Sequence, residues 1–167
     1  MAVKGSVPNP GTIVPHLVVR NMQEAVDFYT GAFSAKVLYR SQSPSGEGEH
    51  AHLRVWSSLI QVSTEESDYN RRQMAGAFLA APQSLGGSTC VFQVGVPDVD
   101  AAYQRAVDHG ALPALPPTEM FWGDRYGWVR DPFGHMWALC SIREILTPGE
   151  VAARMQAVGG STREQNR

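Results

Sequence analysis

YGWVRDPFGHMWALCSI, residues 126–142, reads as two strands hinged on a tight turn. Tyr126–Arg130 and Met136–Ile142 are short, aromatic and aliphatic, and Asp131-Pro132-Phe133-Gly134 supplies the residues that punctuate a turn. Just upstream, Pro113, Pro116 and Pro117 withhold backbone donors and confine that segment to a short edge strand. Further back, Val99, Ala102, Tyr103, Ala106 and Val107 recur at helical spacing between the cap Asp98 and Gly110. Thr89–Val96 opens the unit as a strand. The order is β-α-β-β-β.

The same order precedes it. Thr12–Val19 is a strand, and Asn21 caps a helix carrying Met22, Ala25, Val26, Tyr29 and Phe33. Lys36–Arg40 is a strand, followed by the polar loop Ser41–Glu49. His50–Val55 and Leu59–Ser63 are strands joined by a turn at Trp56-Ser57-Ser58. A 77-residue shift lays Val14 on Val91, Val19 on Val96, Asn21 on Asp98, Ala25 on Ala102 and Gln61 on Ala138. Identities are few, so the repeat rests on element order. The expected organisation is a tail over 1–11, a first module over 12–63, a linker or lid over 64–87 and a second module over 88–142. A C-terminal helix over 143–158, opened by the capping box Thr147-Pro148-Gly149-Glu150, and a loose tail over 159–167 complete it.

Composition bounds the function. With 43% hydrophobic and 18% charged residues the chain folds around a core rather than remaining disordered. Fourteen basic residues against 16 acidic ones leave no field to attract nucleic acid or an anionic membrane. No apolar run has the length of a membrane span, and the start MAVKGSVPNPG lacks the apolar stretch of a signal peptide. Cys90 and Cys140 fall in apolar runs and read as reduced core thiols. A cytoplasmic protein without nucleic-acid or membrane partners is expected.

Two βαβββ modules with DPFG before the last strand resemble the vicinal oxygen chelate superfamily, which holds glyoxalase I, bleomycin-binding proteins and extradiol dioxygenases. The segments VPHLVVRNMQEAVDFYTGAF, APQSLGG, DVDAAYQRAVDHGA, FWGDRYGWVRDPFGHMWAL and LTPGEVAARM are similar to its PhnB-like branch. The resemblance implies an α+β fold whose two tandem modules form curved mixed sheets around a cavity. It also implies a homodimer. In the chelating members it implies metal ligands from the first and last strand of each module, which by spacing are Val14, Gln61, Val91 and Ala138. Three are apolar and one is an amide, so no metal and no cofactor is expected there.

Strand alternation then ranks the candidates, because positions two apart share a face. With Val14 go His16 and Val18; with Gln61 go Leu59 and Ser63; with Val91 goes Gln93; with Ala138 go Met136 and Cys140. In the third strand His50, His52 and Arg54 alternate with apolar residues, leaving the imidazoles for the cavity or for solvent. PhnB-like relatives resemble this strand with an acidic residue where His52 stands. His16, His50 and His52 together could compose a non-standard metal site, but no carboxylate stands with them. Trp122 offers a flat face for an aromatic ligand or else packs in the core. Asp124 is a candidate base and Arg125 a candidate ligand contact; beside two glycines the pair also suits a turn tie.

The sequence therefore predicts a metal-independent protein that binds a small hydrophobic or aromatic molecule, such as an antibiotic or secondary metabolite. His16, His50, His52, Gln61, Gln93, Trp122 and Arg125 are the expected binding residues. The alternative is a cofactorless lyase, isomerase or cyclase with proton transfer by His16, His52 or Asp124. A His-ligated metalloenzyme is the third reading.

Overall fold

The structure, a computed structural model, describes residues 12–43, 46, 48–65 and 79–164. The expected tail over 1–11 and most of the linker or lid over 64–87 lie outside these residues.

Each module builds one sheet. In the first, β1 (His16–Val19), α1 (Met22–Phe33), β2 (Lys36–Gln42), β3 (Glu49–Val55) and β4 (Ser58–Thr64) give the strand order β1-β4-β3-β2. After a short helix α2 (Pro82–Leu85), the second module repeats it. There β5 (Val91–Gly95), α3 (Val99–Asp108), β6 (Leu112–Glu119), β7 (Asp124–Arg130) and β8 (Met136–Ile142) give the order β5-β8-β7-β6. The first and last strands of each module pair in parallel and the remaining pairs are antiparallel. This is the α+β architecture of tandem modules that the sequence predicts. A final helix α4 (Pro148–Glu164) runs beyond the expected end at residue 158.

Local chemistry sets the helix starts. The Asn21 side chain accepts from the N–H groups of Gln23 and Glu24, and Asp98 accepts from Ala101. Both caps satisfy donors that have no partner inside the helix. Helix α1 then buries Met22, Ala25, Val26, Phe28, Tyr29, Ala32 and Phe33, more than one stripe of its surface. One side rests on Leu17, Leu53 and Val62 of its own sheet, within a core cluster that also takes in Trp137 and Leu139 of β8. The rings of Phe33 and Tyr29 meet Trp137 at 4.8 and 5.9 Å. Both sheets thus turn their helix-side faces into a single core, and their other faces are left open.

The DPFG turn locks the modules together. Asp131, 1% exposed, accepts hydrogen bonds from the Tyr29 hydroxyl (2.8 Å), the Trp137 indole (3.0 Å) and the backbone N–H groups of Phe133 and His135. His135 lies on the helix side, and its Nε2 meets the Val18 carbonyl at 3.0 Å across the module boundary. Gly134 closes the turn at φ 94°, where a Cβ would lie 2.9 Å from Pro82 Cβ. Only glycine takes that backbone conformation without strain and allows α2 to approach so closely.

Two expectations fail in detail. The first strand begins at His16, not Thr12, because Pro15 offers no N–H. Cys90 is exposed rather than a core thiol, since it sits in the bend before β5.

Candidate functional site

The open face of the first sheet gathers the histidines. His16 and Gln61 are register partners across β1 and β4, and His52 pairs with Gln61 from the other side. His50 lies across from Ser63, whose hydroxyl is 2.9 Å from His16 Nε2. The Nε2 atoms of His50 and His52 stand 3.0 Å apart, so one ring donates and the other accepts. The His16 and His50 rings meet edge to face at 5.6 Å, and Tyr39 lies 5.6 Å from His52. Partial burial pulls the His16 pKa below its ordinary value, and the nearby His52 adds to this. His50 is pulled down by the same causes, with His16 contributing as well. His16 and His50 therefore favour the neutral form, which can both donate and accept.

The open face of the second sheet is aromatic. Trp122, Tyr126 and Trp128 form an edge-to-face row with centroids 5.7 and 6.2 Å apart, continued by Phe121 at 4.9 Å from Trp122. The Tyr126 hydroxyl lies 3.3 Å from Gln93 Oε1. Trp128 faces Ala138 and Tyr126 faces Cys140 across the β7–β8 register. Burial raises the Cys140 thiol pKa, and the Asp124 charge raises it further, which makes it a poor nucleophile. The Trp128 indole nitrogen is buried without a hydrogen-bond partner among the described residues. Trp128 is not singled out from the sequence, although its parity with Tyr126 is available to place it on this face; Ser63 is placed beside Gln61 by parity but is not among the expected binding residues.

Two of the expected site residues are engaged by other side chains of the chain. Arg125 belongs to the opposite face of β7 and grips Asp100 of α3 at 2.6 and 2.5 Å, with Glu119 at 3.3 Å. Those carboxylates raise its pKa, and its hydrogen bonds lower that of Asp100. The alternation of β7, with Gly127 and Val129 buried on the same side, dictates this placement. Asp124 stays on the open side, where its Oδ2 accepts from the Trp122 indole at 3.0 Å. Its contact is a tie for the turn that presents Trp122. No hydrogen bond or ring contact among the described residues joins the histidine cluster to the aromatic row.

The resemblance's four metal positions do not fit a metal. Val14 lies before β1, Val91 pairs with Met136, and the strand register instead places His16 beside Gln61 and Gln93 beside Ala138. By either pairing the donors amount to one imidazole at most with amides and methyl groups, too weak a set to displace water from a divalent ion. Among the described residues, no three His, Cys, Asp or Glu side chains are grouped to hold an ion.

Residues 11–139 match the model of the glyoxalase/bleomycin resistance protein/dioxygenase superfamily. The chain belongs to that superfamily. It is 40% identical over 146 residues to the uncharacterised protein Rv0887c of Mycobacterium tuberculosis, covering 87% of this chain and 82% of that one. The crystal structure of the At5g48480 product from Arabidopsis thaliana is similar at 27% identity and TM-score 0.58, over 78% of this chain and 98% of that chain. TioX from Micromonospora sp. ML1 is similar at 26% identity and TM-score 0.57, over 78% and 97%. No helix among the described residues is long and apolar enough to cross a membrane.

Proposed function

We propose that this superfamily member is of the PhnB-like kind and binds a small hydrophobic or aromatic molecule without a metal, in the manner of antibiotic or secondary-metabolite binding. The observation that carries the reading is the row Trp122–Tyr126–Trp128 on an open sheet face, edged by Gln93. Such a row packs against a planar ligand, and the few polar groups beside it fix orientation. His16, His50, His52 and Gln61 supply the polar contacts on the other face. Because no contact among the described residues joins the open faces, two copies pairing as a homodimer would close each face over the other. Free thiols at Cys90 and Cys140 suit the cytoplasm.

A thermal-shift screen of aromatic metabolites and antibiotics, followed by calorimetry on hits, tests the proposal. Trp128→Ala and Trp122→Ala should each weaken binding by about tenfold while preserving the fold. Unchanged affinity in both variants would remove the site.

A second reading is favoured by the 3.0 Å contact of the His50 and His52 imidazoles, of which His50 has a lowered proton affinity. A neutral imidazole pair is a competent general base for a cofactorless lyase, isomerase or cyclase. Conversion of a bound compound over time, abolished in His52→Gln, would establish that reading over simple binding.

A further inference from the structure

The open face of the first sheet carries an unusual balance of charge. Going across it, β1 offers His16, β4 offers Gln61 and Ser63, β3 offers His50, His52 and Arg54, and β2 offers Lys36 and Tyr39 opposite Arg54 and His52. Among the described residues of these strands, no carboxylate faces the cluster. Glu49 of β3 is committed to Arg40 at 2.9 Å. Glu65, just past β4, is tied up by Arg20 and Ser84. Arg54 and Lys36 have no acidic partner among the described residues. Three imidazoles, a guanidinium, an ammonium, two hydroxyls and an amide thus share one surface, and every one of these groups can donate a hydrogen bond.

We infer that the ligand of this face carries an oxyanion, a carboxylate or a phosphonate-type group, held between the His16–His50–His52 cluster and Arg54. This deepens the binding reading above and rests on it. The second sheet's aromatic row would hold the planar body of such a molecule. A delocalised anion accepts from several such donors at once, and charge-assisted bonds to a guanidinium are the stronger kind. The lowered proton affinity of His16 and His50 gives the inference a sign. A bound anion favours imidazolium, so binding takes up protons and strengthens as pH falls from the neutral range toward the lowered pKa values of His16 and His50. The Arg54 and Lys36 part of the attraction does not change over that range.

The test compares 2-naphthoate with its neutral counterpart 2-naphthamide by calorimetry at about pH 6 and about pH 8, both above the carboxylate's own titration. Naphthoate should bind about tenfold more tightly than the amide at the lower pH, and the margin should shrink at the higher one. Arg54→Gln, at an exposed position, should shrink the margin without altering amide binding, and a double His50→Gln/His52→Gln variant should abolish its dependence on pH. Equal affinities for the two compounds, both weakened by Trp128→Ala, would overturn the oxyanion and leave the aromatic site standing. Binding of neither compound would overturn both.

Discussion

Asp131 and the histidines carry the energetics that single residues decide. A side chain 1% exposed and without a cationic partner among the described residues survives at Asp131 because four donors converge on its oxygens. Tyr29→Phe removes one of them from the buried network that links the modules. It should lower stability by about 1–3 kcal/mol in urea denaturation with little change in slope, and a variant as stable as wild type would contradict this assignment. Burial also lowers the pKa values of His16, His50 and His135, against partial opposition at His135 from Asp131 and the Val18 carbonyl. The unfolded chain protonates these rings near pH 6.5 while the fold resists, so their stability contribution is complete above that value and is lost as pH falls through it. The melting temperature should therefore drop between about pH 7.5 and about pH 5.5, and His135→Gln should flatten the drop. A melting temperature that rises on acidification would show the imidazoles to be stabilised in their charged form instead. The histidine face was legible from parity alone. Parity also puts Arg125 on the other face, but its partner was not legible, since Asp100 lies on another element 25 residues earlier.

At the level of elements, prolines and caps govern what forms. β6 runs eight residues through Pro113, Pro116 and Pro117, longer than the short segment expected. It can do so because it is an edge strand pairing only with β7, and two register shifts absorb the missing donors. Gly134→Ala forces a left-handed backbone on a residue with a Cβ and drives that atom toward Pro82, so α2 must shift. A loss of more than about 1 kcal/mol is expected in thermal unfolding; a neutral outcome would mean that α2 is held only loosely against the turn. The capping box forms as the sequence predicts: Glu150 Oε2 accepts from the Thr147 hydroxyl at 2.7 Å and from its N–H at 2.8 Å. These bonds lower the Glu150 pKa. Thr147→Ala should speed amide exchange across the first turn of α4 by about fivefold, consistent with a cap worth about 1 kcal/mol, while leaving the sheets protected.

For the whole molecule, two sheets share one core and leave two chemically different faces uncovered, one imidazole-rich and one aromatic. A homodimer should therefore sediment at about twice the 18.2 kDa chain mass at micromolar concentration, and a stable monomer would leave the proposed closure without a mechanism. Elemental analysis should find no stoichiometric zinc, nickel or iron, whereas one bound equivalent lost on replacing His16, His50 and His52 would restore the metalloenzyme reading. The sequence by itself determined the tandem modules, the caps, the turn at Asp131 and the face on which most strand residues lie. These follow from local rules, namely side-chain alternation, helical spacing, and the conformational demands of proline and glycine. Only the tertiary structure decided that Tyr29 reaches Asp131, that Arg125 is claimed by Asp100, that Trp128 completes the aromatic row, and that the histidines and aromatics stand on separate faces. Each of those depends on contacts between distant segments, which no local period encodes, because they are set by how α1 and α3 pack the two sheets into a single core.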